Sequence, residues 1–196
     1  MRELYFADNR DLVKWGVLLH LARELGSGSI LQVAYLRDTE WETLEIDGAE
    51  VPIAASVLSH FRDLTGVSRM TATPRIEVLD APFVDRGSYL ELILQALATR
   101  RDGESQIVFL DPDTGLEPAA RPGPKHVLES ELRRIWDALR QEDVLVLYQH
   151  QTNYAGLPWI EVKRIQFETT LGVPHGDAKV ARSAMAHDVA FLYCRR

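Results

Sequence analysis

Hydrophobic positions fall along this chain in two alternating rhythms. Short, nearly unbroken apolar runs occupy 30–36, 75–80, Gln106–Leu110, 144–148 and 190–194. They are rich in β-branched and aromatic residues, which predicts buried strands. Between them apolar residues recur at three- and four-residue spacing, the period of a helix with one inward face. Leu12, Trp15, Leu19 and Ala22 form the first such set, after a cap at Asp8 or Asn9. Further sets are Val57, Leu58, Phe61 and Leu64; Leu90, Ile93, Leu94 and Leu97; and Leu128, Leu132, Ile135 and Leu139. A last helix is predicted over 160–171.

Strand and helix alternate over most of the length, which predicts an α/β chain with a mainly parallel sheet and helices on both faces. The expectation is one three-layer, Rossmann-like domain over 1–196. One stretch breaks the rhythm. Positions 37–50 carry Asp38, Glu40, Glu42, Glu45, Asp47 and Glu50. Asp47-Gly48 stands there between two alternating runs, the signature of a tight hairpin, and Pro52 keeps that strand at an edge. A small acidic hairpin insertion is expected.

Composition narrows the class. The 46% hydrophobic and 26% charged fractions are those of an ordinary globular chain. A formal net charge of −7 argues against indiscriminate binding to a phosphate backbone, though a local basic groove stays open. The single Cys194 excludes an internal disulfide and a multi-cysteine zinc site. Met1-Arg2-Glu3-Leu4 does not start a signal-peptide core, and no run is long enough for a membrane helix. The expectation is a cytoplasmic chain with no membrane contact.

Candidate chemistry gathers where strands end. The run Gln106–Leu110 stops in Asp111-Pro112-Asp113-Thr114-Gly115-Leu116-Glu117. Ligands of open α/β sheets bind at the carboxyl ends of strands. A carboxylate there can hold a metal, accept a proton or bond an amine. A turn alone also accounts for the sequence, with Gly115 at positive φ. The next strand ends in Tyr148-Gln149-His150. Gln149 suits an amide or base edge, and His150 suits proton exchange near neutral pH or metal ligation. Adjacent strands would bring both clusters into one crevice. Asp11 and Lys14 form a further polar set on the first helix, where a surface pair is the simpler explanation. Glu161-Val162-Lys163 has the acid-x-lysine form of metal-dependent nucleases but stands in a helical stretch. No phosphate-binding Gly-x-x-x-x-Gly-Lys loop, Gly-x-Gly-x-x-Gly loop after the first strand or Gly-x-Ser-x-Gly elbow is present.

This order of pieces resembles the Rossmann-like S-adenosylmethionine-dependent methyltransferases. In outline it is similar to RNA adenine-N6 methyltransferases, which start with an Asn-x-x-Asp-x-x-Lys helix; Asn9-Arg10-Asp11-Leu12-Val13-Lys14 stands here, one place out of step. Asp111-Pro112 matches the start of their Asp-Pro-Pro-Tyr motif, while Asp113-Thr114 departs from it. The chain also resembles a group of bacterial and phage proteins with Asp-Pro-Asp-x-Gly-Leu-Glu and Tyr-Gln-His. The resemblance implies methyl transfer to a nucleic-acid base or similar planar substrate. It implies Asp111 orienting the substrate amine, Asp113, Gln149 and His150 adding contacts, and S-adenosylmethionine held by Asp80 and Asp38. In place of the family's glycine loop stands Leu36-Arg37-Asp38-Thr39-Glu40-Trp41. Two alternatives remain: a hydrolase or nuclease with Mg²⁺ on Asp111, Asp113 and His150, and a non-enzymatic Rossmann-like binding module.

Overall fold

The computed structural model describes residues 9–37, 43–57, 64–101, 103–152 and 158–196. A six-stranded sheet runs through its centre. Its strands are β1 (Ser29–Val33), β4 (Arg75–Leu79), β5 (Gln106–Leu110), β8 (Val144–His150), β9 (Lys179–Ser183) and β10 (Ala186–Arg195), in the spatial order β4-β1-β5-β8-β10-β9. β4, β1, β5 and β8 pair in parallel. β10 runs antiparallel to both β8 and β9. The mixed α/β class and mainly parallel sheet expected from the periodicity are therefore observed.

Pleating sends alternate residues of each strand to opposite faces. Leu31, Val33, Val108, Leu110, Leu145 and Leu147 face α2 (Arg86–Thr99), α3 (Glu129–Ala138) and α4 (Trp159–Leu171). Ile30, Ile107, Phe109, Val144, Val146 and Tyr148 form the other core layer with α1 (Asn9–Leu25). β1, β5 and nearly all of β8 are buried on both faces, which is why they read as unbroken apolar runs. Complete burial of one such aliphatic side chain stabilises by about 1.5–3 kcal/mol.

Local signals fix several ends. Asp85 caps α2 by accepting from the Ser88 N–H at 2.8 Å. Gly172, at φ 68°, closes α4 in the left-handed conformation. The acidic hairpin is present as β2 (Thr43–Ile46) and β3 (Ala49–Pro52), exposed along both strands. Asp47 and Gly48 both take positive φ, the backbone of a two-residue hairpin turn.

The structure departs from the sequence reading at four points. The inward face of α1 is Asp11, Lys14, Trp15, Leu18 and Ala22, while Leu12 is 62% exposed. Val127 belongs to a short strand, β7 (His126–Val127), paired with β6 (Gly115–Leu116), and α3 starts after it. Lys179–Ser183 forms edge strand β9 without an apolar run to announce it. Leu64, placed at the end of a helix, instead opens a 3-10 helix, Leu64–Arg69. Positions 58–63 of that expected helix lie outside the described residues.

Candidate active site

The chain leaves β1 for β4 on one side, then crosses to β5 on the other. The strand order therefore reverses between β1 and β5. Such a switch point opens a crevice at the carboxyl edge of an open sheet. The β1 and β5 registers end together, Val33 opposite Leu110, so the next residues of both strands face this crevice region.

A charged cluster is buried beneath the edge. Lys14 Nζ donates to Asp11 Oδ1 at 2.8 Å and to Asp111 Oδ2 at 2.9 Å. Gln32 Nε2 donates to the same Asp111 oxygen at 3.0 Å. Asp11, Lys14, Gln32 and Asp111 are all buried, Asp111 to 1% exposure. Burial disfavours the Lys14 ammonium, but Asp111 and Asp11 outweigh it and hold its pKa above the ordinary lysine value. The ammonium also lies 5.3 Å from the centre of the Tyr148 ring. The helix pair read as a surface contact is thus the underside of the strand-end motif. Asp111 meets α1, not solvent.

The loop after β5 is a rigid mount. Gln149 is fully buried; its Oε1 accepts from Leu116 N–H at 2.8 Å, and its Nε2 donates to Thr114 O at 3.2 Å and His150 O at 2.8 Å. A Cβ on Gly115, at φ 123°, would lie 2.4 Å from the Gln149 amide, so this position needs glycine. Gln149 therefore clamps the loop rather than facing a ligand, a correction to the amide-edge role. Lys163 Nζ donates to Leu116 O at 3.0 Å and Glu117 O at 2.9 Å. Glu117 accepts from Glu129 N–H at 2.6 Å and caps α3.

His150 does reach the edge, with its side chain 29% exposed. Its Nε2 lies 3.1 Å from Tyr148 Oη, and its Nδ1 faces Asp188 Oδ2 at 3.9 Å. Arg10 donates to that Asp188 oxygen at 2.6 Å. Burial pushes the His150 pKa down, reinforced by Arg10 and Lys14 and opposed by Asp188 and Asp111. Burial would raise Asp188, but Arg10 holds it below the ordinary carboxylate range. Asp188 and Gln32 escaped the sequence reading. A polar residue inside a buried strand was the only signal for Gln32, and Asp188 had none.

Across the switch point, Arg37 after β1 pairs with Asp113 after β5. Tyr35 takes the left-handed conformation at φ 48° and turns its ring into the core. The ring packs on Phe83 and Tyr89, with centroids 5.4 and 5.2 Å away. Asp80 follows β4 at the same edge and is exposed. Asp38 lies outside the described residues.

The proposed metal donors do not assemble. Among the described residues no three His, Cys, Asp or Glu side chains converge on a cation position. The Lys14 ammonium already bridges Asp11 and Asp111, and Asp113 turns to Arg37. Glu161 pairs with Arg164 on the surface while Lys163 is buried, so that triplet points two ways.

A cleft of about 440 Å³ lies at the opposite, amino edge, lined by Leu25, Arg100, Glu104, Arg140, Glu142 and Arg195 among others. Arg100 is the C-cap of α2 and Arg140 lies just beyond α3, where helix carbonyls favour cations. Asp143 pairs with Arg100, and Glu142 with Arg195.

No protein-family model matches the chain, and no curated protein matches it. Among solved structures, a DUF574 family protein from Streptomyces avermitilis MA-4680 aligns with 96% of this chain and 82% of its own, at 14% identity and TM-score 0.45. A candidate methyltransferase from Thermobifida fusca YX aligns with 96% of this chain and 80% of its own, at 14% identity and TM-score 0.44. No helix among the described residues is long and apolar enough to cross a membrane.

Proposed function

We propose that this chain is an S-adenosylmethionine-dependent methyltransferase working at the carboxyl edge of its sheet, on a nucleic-acid base or similar planar substrate. The observation that carries this reading is the buried Asp11–Lys14–Asp111–Gln32 cluster directly under the β1/β5 switch point. Replacing a buried ion pair by apolar side chains is often neutral or stabilising, so stability alone is a weak reason to keep one. Buried charge concentrates at functional sites, and ligands of open α/β sheets bind at switch points.

The residues present fit the cofactor in two respects. Exposed Asp80, at the end of the strand beside β1, suits a hydroxyl or amino group of its nucleoside half. The left-handed turn at Tyr35 supplies a backbone conformation usually left to glycine, and its ring is packed in the core. Bound cofactor supplies an electrophilic methyl group. The chain contributes positioning: the Lys14–Asp111 pair fixes α1 and the β5 loop, and the Arg37–Asp113 pair ties together the ends of β1 and β5 beside the switch point. Asp111 acts through Lys14 and Gln32 rather than by direct contact, because its carboxylate is buried.

Calorimetry and thermal unfolding with S-adenosylmethionine test this. Ligand at 100 times its Kd stabilises by about 2.7 kcal/mol. A binding heat and a raised Tm are expected, both lost in Asp80→Ala with its ligand-free Tm unchanged. Absence of both the binding heat and the Tm shift would refute the assignment.

A further inference from the structure

We infer that the turn at 123–126 is an acid-released catch on the loop after β5: neutral His126 keeps it shut, and protonated His126 opens it. The catch goes beyond the methyl-transfer reading and does not depend on it.

The donor in the closing contact is fixed. The Gly123 backbone N–H can only donate, and it donates to His126 Nδ1 at 3.1 Å. Nδ1 therefore offers its lone pair, and the neutral ring carries its hydrogen on Nε2. The turn closes a second time through His126 N–H to Gly123 O at 3.1 Å. From α2, Arg86 Nη2 donates to Gly123 O at 2.5 Å and to His126 O at 3.1 Å, while its Nη1 is occupied by Glu131. The turn also holds the candidate site's loop. Lys125 O accepts from Thr114 N–H at 3.0 Å, and Thr114 follows Asp113, which pairs with Arg37 across the switch point.

Protonation reverses the contact. His126 is half-buried at the start of β7, with Pro124 and Lys125 exposed beside it, so solvent protons reach the ring. A proton takes the Nδ1 lone pair, and two N–H groups then face each other. The charged groups facing the ring are Lys163 from α4, Arg86 from α2 and Glu117 just beyond β6. Burial holds the His126 pKa below the ordinary 6.5; Lys163 and Arg86 push the same way, and Glu117 opposes them. The Gly123 N–H also favours the neutral ring, because it donates to the lone pair that a proton would take. With the folded pKa below the unfolded one, the catch is fully shut above about pH 6.5 and is lost as pH falls through the folded value. Release stays local. Thr114 O keeps its bonds from His150 N–H and Gln149 Nε2, and Glu117 N–H keeps Val127 O. The bonds that loosen are Gly123 to His126 and, behind it, Thr114 to Lys125, next to the Asp113–Arg37 pair.

Imidazole nitrogen NMR and amide exchange across a pH titration of the full chain test the catch. In the neutral range His126 is expected as the Nε2–H tautomer, with a protected Gly123 amide. As His126 titrates, Gly123 protection should fall about tenfold and Thr114 should follow, while the Leu116 and Glu117 amides stay protected. His126→Leu should show the released Gly123 amide at every pH. An Nδ1–H tautomer in the neutral wild type, or Gly123 protection that does not change as His126 titrates, would overturn the catch whether or not His126→Leu folds. Joint loss of protection at Gly123, Leu116 and Glu117 would also overturn it, because that is general unfolding and not a local release. S-adenosylmethionine enters none of these measurements, so their failure is separate from a failure of the methyl-transfer reading.

Discussion

Lys14 and Asp111 are 97 positions apart in sequence, yet their charged atoms lie 2.9 Å apart in the interior. This contact joins the first helix to the end of the strand beside the switch point. It turns two separately unremarkable polar residues into one buried structure.

Lys14→Met should therefore be severe. It leaves Asp11 and Asp111 buried without their cation, and breaking such a pair costs about 3–5 kcal/mol. Urea denaturation should show this loss. Adding Asp11→Leu and Asp111→Leu should recover much of the stability without recovering ligand binding.

Gly115→Ala should destabilise by about 1–3 kcal/mol from backbone conformation alone, with the clash against Gln149 added. Gln149→Ala removes the clash but also the clamp on Thr114 and Leu116. A double-mutant cycle should give strong coupling between the two positions. Independent effects would mean that the loop is held some other way.

The His150 pKa is lower in the folded chain than its ordinary 6.5. As pH falls, the unfolded chain takes up this proton first. The contribution to stability is complete above about pH 6.5 and is lost as pH drops through the folded value. Asp188 has the same sign in a more acidic window, below its ordinary 3.8. Stability measured between about pH 7 and pH 5 should fall less steeply in His150→Gln than in the wild type.

Lys163→Met should cost about 1–3 kcal/mol, because it removes the Lys163 bonds to the Leu116 and Glu117 carbonyls and leaves Glu117 O only its bond from Gln166 Nε2. Hydrogen exchange should rise at Leu116 and Glu117 and stay unchanged in β1.

The main strands were legible because burial on both faces writes an apolar run, and Asp47-Gly48 announced its hairpin through a backbone few other residues adopt. Asp111 marked the strand end that stands beside the switch point. The face of α1 was misread because Asp11 and Lys14 occupy inward positions normally held by apolar residues; their partner comes from β5, and local periodicity carries no trace of it. Edge strand β9 was missed because Lys179-Val180-Ala181-Arg182-Ser183 needs to bury little. Gln149 looked like a ligand contact because its amide suits a base edge equally well, and only its place against Gly115 distinguishes the two roles. Asp188 lay in no motif and gains meaning from the β8–β10 register that pairs Val189 with His150.

Ultraviolet cross-linking of methyl-labelled S-adenosylmethionine, followed by peptide mapping, tests the site most directly. Label is expected in peptides containing Tyr35–Arg37 or Asp80, competed by unlabelled cofactor and lost in Asp80→Ala. Absence of specific label, or label confined to the amino-edge peptides around Arg100 and Arg140, would contradict the carboxyl-edge assignment.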